Sequence, residues 1–83
     1  MTKPLGVEID FESKAGYVTY SESKVAETVD VWEEGTVAAD LDSEGKIIGI
    51  EVLGLDPEAL SQARAYAEDH DLAFPPHLDL VST

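Results

Sequence analysis

The chain has 83 residues, no cysteine, and 18 acidic side chains against 5 basic ones, for a formal net charge of -13. That length fits one domain and leaves no room for a second, and the missing cysteines exclude disulfides and cysteine-based zinc sites. A polyanionic nucleic acid would be repelled, with Arg64 alone able to make a bidentate guanidinium contact, so no nucleic-acid partner is expected.

The first residues, Met1-Thr2-Lys3-Pro4-Leu5-Gly6, lack a basic stretch followed by an apolar one. No run approaches the roughly 18 apolar residues of a membrane span, so the expected location is the cytoplasm, without membrane contact. Val7, Ile9 and Phe11 then alternate with Glu8, Asp10 and Glu12, the period of a strand with one buried face. Ser13-Lys14-Ala15-Gly16 reads as a turn and Tyr17-Val18-Thr19-Tyr20 as the returning strand. After a polar link at Ser21-Glu22-Ser23-Lys24, residues Val25 to Trp32 form an irregular strand in which Val25, Val29 and Val31 share a face. Glu33-Glu34-Gly35 turns.

The next hairpin is the clearest. Val37, Ala39 and Leu41 share one side of a strand, Asp42-Ser43-Glu44-Gly45 turns, and Ile48, Ile50 and Val52 mark the return. Gly49 falls on the opposite face, where a missing side chain implies a bulge, a bend or a close approach. Asp56 is a good N-cap, Pro57 suits the first helical position, and Glu58 favours the positive end of the helix dipole. Ala59, Leu60, Ala63, Tyr66 and Ala67 make an apolar stripe, and the small alanines allow close approach to a sheet. Past His70-Asp71 the prolines at 75 and 76 forbid helix, and Leu72, Phe74 and Leu78 are expected to dock.

The residues Asp40-Leu41-Asp42-Ser43-Glu44-Gly45-Lys46-Ile47-Ile48-Gly49-Ile50-Glu51-Val52-Leu53 resemble the signature of a bacterial family, domain of unknown function 2283. Its pattern is an acidic turn followed by Gly-basic-Ile-Val-Gly-Ile-Glu-Ile. Asp10-Phe11-Glu12 followed by Tyr17-Val18 resembles that family's first hairpin, and the similarity spans about residues 7–54. The resemblance implies no catalytic activity and no defined functional residues. For some members it implies an antitoxin-like partnership with small basic toxins.

Several chemistries can be weighed directly. Asp40, Asp42, Glu44, Gly45 and Glu51 fall at positions 1, 3, 5, 6 and 12 of a calcium loop, with Ile47 at the apolar position 8. Position 5 is a glutamate, however, and the flanks alternate as strands, which carries Glu51 away from Asp40. His70 ends the helix and His77 lies in the tail, so a two-histidine metal site would need the tail to fold back. No Gly-x-Ser-x-Gly elbow, glycine-rich phosphate loop or dinucleotide fingerprint occurs, and catalysis and cofactors are not expected. Trp32 is out of phase with Val29 and Val31, which puts it on the second face of its strand with Tyr17 and Thr19, beyond the reach of a single helix.

The expected fold is α+β: one domain with a strongly twisted antiparallel β-meander of four or five strands, a covering helix at about 57–70, and an extended tail over 71–83. The expected function is non-catalytic protein binding, to a basic partner in antitoxin-like fashion, through a surface built from Trp32, Tyr17, Glu33 and Glu34. Two alternatives stand beside it: a calcium- or metal-responsive module using the hairpin of Asp40, Asp42, Glu44 and Glu51, and a homodimeric scaffold.

Overall fold

The computed structural model describes residues 1–33, 36–54 and 56–75. Five strands, β1 (Gly6–Asp10), β2 (Ala15–Thr19), β3 (Glu27–Trp32), β4 (Val37–Leu41) and β5 (Ile47–Leu53), precede one helix, α1 (Pro57–Asp69). All pairings are antiparallel and the sheet order is β1-β2-β5-β4-β3. The α+β expectation holds, with β3-β4-β5 as the meander. The β1–β2 hairpin adds to the free side of β5, so residues 20–26 carry the chain across to the far edge.

The alternation of apolar and polar residues sets which face is buried. Val18, Val37, Ile50 and Val52 are fully enclosed and meet Ala59, Leu60, Ala63 and Ala67 of α1. The helix lies over β3, β4 and β5. Burying Leu60 alone contributes about 1.5–3 kcal/mol, and the three alanines let the helix sit close to the sheet. Its start is fixed as the sequence implies: Asp56 Oδ1 accepts from the Ala59 amide at 2.9 Å, and Pro57 occupies the first turn.

The helix stops by a Schellman arrangement around Asp71, whose φ of 59° is left-handed. The Leu72 amide donates to the Ala67 carbonyl at 2.9 Å, and the Asp71 amide to that of Glu68 at 3.1 Å. The chain then turns back along the helix-side core, where Leu72 and Phe74 are buried as expected; Leu78 lies outside the described residues. Thr2 clips this return segment through hydrogen bonds with Asp71 and Ala73. The Tyr20 hydroxyl, just past the end of β2, donates to the Ala73 carbonyl of the same segment at 2.8 Å.

Two bulges correct the sequence-based phase of the strands. In β3, Asp30 faces Ala38 but Trp32 faces Val37, so Val31 is the extra residue. Simple alternation places Trp32 on the uncovered face. The bulge instead moves it to the helix side, where it and Val31 rest half-buried against the core. Between β4 and β5, Asp40 faces Gly49 but Leu41 faces Ile47, and this shift turns Ile47 toward the core as well. Val25 precedes β3 and is exposed.

Candidate functional site

The face of the sheet opposite α1 is crossed by two rows of paired residues. One runs Glu8, Tyr17, Glu51, Ala38, Asp30, and the other Gly6, Thr19, Gly49, Asp40, Thr28. Tyr17 ties the rows together. From β2 its ring lies across Gly49 of β5, so closely that a Cβ on Gly49 would fall inside the phenol. The missing side chain therefore marks a close approach, one of the three readings the sequence allows.

The phenol ends on β4. Tyr17 Oη donates to Asp40 Oδ2 at 2.7 Å, and Thr28 Oγ1 from β3 donates to Asp40 Oδ1 at 2.6 Å. One carboxylate thus links β2, β4 and β3, reaching β2 over the intervening β5, with both oxygens engaged. Burial first, then the hydrogen bond to Asp40 and the charges of Asp40 and Glu51, push the Tyr17 phenol far above its ordinary range. At neutral pH it is a fixed donor, unsuited to act as a base or nucleophile.

Beside this network lies a shallow groove of about 190 Å³, lined by Glu8, Asp10, Tyr17, Glu51 and the floor at Gly16. With Asp30 and Asp40, the open face carries five carboxylates. None of the five basic residues joins them. Lys3, Lys14, Lys24 and Lys46 sit in the N-terminal segment, turns and a loop, and Arg64 on α1 lies over the Phe74 ring at 5.8 Å. The face is therefore strongly negative, with an aromatic ring at its centre.

The four calcium candidates are not brought together. Asp42 Oδ1 accepts from the Glu44 amide at 2.8 Å and the Lys46 amide at 2.9 Å, which spends it on shaping the turn where Gly45 takes a φ of 80°. Asp40 is held by Tyr17 and Thr28, Glu44 is exposed in the turn, and Glu51 stands on β5 opposite Tyr17. Among the described residues no three carboxylates or histidines converge on a metal position. His70 directs Nδ1 to the Tyr66 carbonyl at 2.8 Å and leans on the Tyr66 ring; His77 lies outside the described residues.

The expected binding surface is also rearranged. Tyr17 is on the open face, Trp32 on the helix side, and Glu33 at the turn after β3, where its carbonyl accepts from the Thr36 amide and hydroxyl. These three do not form one patch, because the bulge at Val31 reverses Trp32; Glu34 lies outside the described residues. Sequence reasoning missed Asp40 as the anchor of Tyr17. The signal was present in a glycine and a tyrosine each opposite the apolar face of its strand, but it needed the β2–β5 pairing to be read. A second cleft, of about 380 Å³, opens at the other end between Tyr20, Lys46, Ile48, His70 and Leu72.

No helix among the described residues is long and apolar enough to cross a membrane. No curated protein and no solved structure matches the chain significantly. The sequence from residue 6 to residue 55, which contains all five strands and more than half of the chain, matches the family described as Protein of unknown function (DUF2283), and the chain belongs to that family.

Proposed function

We propose that this chain is a non-catalytic protein-binding domain whose open sheet face engages a basic protein, in the antitoxin-like manner that the family resemblance implies. The observation that carries the reading is the composition of that face: Glu8, Asp10, Asp30, Asp40 and Glu51, with no basic residue among them. Such a field steers cationic partners and repels anionic ones. The turn acids and the acids of α1 serve solubility equally well, so the test must separate the faces.

Two charge-reversed variants do so. One carries Glu8→Lys, Asp30→Lys and Glu51→Lys, the other Glu58→Lys, Glu68→Lys and Asp69→Lys on the exposed side of α1. Each is immobilised and exposed to extract of the native host. A defined basic protein should be retained by the parent and the helix variant, and lost by the sheet variant. Equal retention by all three, or retention of no basic protein, would overturn the proposal.

A further inference from the structure

We infer that the partner docks as a β-strand along the free edge of β1, contributing basic residues to the open face and apolar residues to the helix side. This deepens the acidic-face reading and rests on it. Three observations converge on β1.

The first is that the two edges of the sheet are unequal. β3 is interrupted by the bulge at Val31, a device that spoils an edge for further pairing. β1 pairs all five of its residues with β2 in an unshifted register, and no described strand lies on its other side. Its outward amides and carbonyls form a straight template for another strand.

The second is that this edge alternates along the strand. Val7 and Ile9 face the helix side and Gly6, Glu8 and Asp10 the open face, with Leu5 just before the strand and Phe11 in the turn after it. Because α1 lies over β3, β4 and β5, apolar cover at this edge is incomplete: Ile9 packs partly against the core, and its apolar neighbours stay exposed. Leu5 remains 64% exposed, Val7 41% and Phe11 58%. A strand alternating aliphatic with Lys or Arg residues would cover these side chains on one side. On the other it would lay its cations beside Glu8, Asp10 and the groove that they form with Tyr17 and Glu51.

The third is that the acids argue against a second copy of this chain. Glu8 is the central residue of β1, so two-fold antiparallel pairing over the full length of the strand would set it against itself. Like charges directly opposite one another destabilise a sheet. The edge thus rejects its own copy and accepts a strand of opposite charge.

The test uses two blocked ten-residue peptides of alternating lysine and valine, identical except that the second is N-methylated at every other amide, with amide exchange followed by NMR on the full chain. The unmodified peptide should bind and slow exchange at outward amides within residues 6–10, and methylation should weaken binding by at least about tenfold. Equal binding of the two peptides would overturn strand addition while leaving the acidic-face reading intact. Binding of neither would remove both. Protection at β3 instead of β1, or self-association of the free chain that protects the same β1 amides, would overturn the assignment of this edge to a basic strand.

Discussion

Replacing Gly49 by alanine isolates the Tyr17 clamp. The new methyl would occupy the position of the phenol, so the ring must swing off the sheet. That breaks the hydrogen bond from Tyr17 to the Asp40 carboxylate, worth about 1.5–3 kcal/mol for a charged acceptor. Uncovering roughly 40 Å² of ring and strand adds about 1 kcal/mol. Removing a strand glycine returns about 0.5–1 kcal/mol of backbone entropy. The net expectation is a loss of about 2–3 kcal/mol, equivalent to roughly 8–24 °C in melting temperature for a domain of this size. Urea unfolding followed by Trp32 fluorescence and far-ultraviolet circular dichroism gives the value directly. The decisive comparison repeats the substitution in a Tyr17→Ala background, where the methyl meets no ring and Gly49→Ala should be neutral or stabilising by up to about 1 kcal/mol. A penalty of the same size in both backgrounds would refute the clamp, as would a single-variant cost below about 0.5 kcal/mol.

Three further outcomes follow from the same geometry. Burial pushes the Tyr20 hydroxyl up to about 12, and Tyr17 is raised as well, so the folded state favours both neutral phenols. Their contribution is complete below pH 10 and is lost as pH rises through the folded values. Melting temperature should therefore fall between about pH 10 and 12, and less steeply in Tyr20→Phe. Asp71→Gly relieves a left-handed φ at a helix C-terminus that also disfavours negative charge, and should stabilise by about 1 kcal/mol in urea unfolding; a loss would contradict the Schellman reading. With 13 uncompensated negative charges, melting temperature should rise by about 5 °C or more between 0.1 and 1 M sodium chloride, and a flat response would remove self-repulsion as a factor in stability.

Much of the fold was legible because its rules are local. Two-residue alternation located the strands, Gly45 marked the hairpin turn, and Asp56-Pro57 marked the start of α1. The first turn falls at residues 11–14 rather than 13–16, because the Asp10 carboxylate caps it and leaves Ala15 and Gly16 to β2. The misplaced faces have another cause. A bulge changes the phase of a strand, and no residue type announces it: Val31 is as good a strand residue as Val29. Counting by twos through Val31 and across Ile47 places Trp32 and Ile47 on the open face, and pairing puts both against the core. Strand order was equally hidden, since β2 and β3 are adjacent in sequence but at opposite sides of β5 and β4. The Tyr17–Asp40–Thr28 chain depends on that order, because it joins β2 to β3 only through what lies between them.

Those corrections also change what the uncovered face asks for. With Trp32 and Ile47 outward, the sheet would present an apolar surface in need of a cover, and self-association would be the economical answer. With both turned inward, the open face consists of carboxylates, threonines, glycines, Ala38 and one anchored tyrosine, while Leu53 stays 44% exposed near its end. Such a surface does not itself call for an apolar cover. Binding there must be driven by complementary charge, so it should weaken with salt even as the domain itself becomes more stable. The apolar demand has moved to the β1 edge, where Val7 on the strand and Leu5 and Phe11 on either side of it stay exposed. Charge on the face and apolar surface at the edge therefore favour a partner that is both basic and extended, and a compact cationic protein offering no free strand would satisfy only the first.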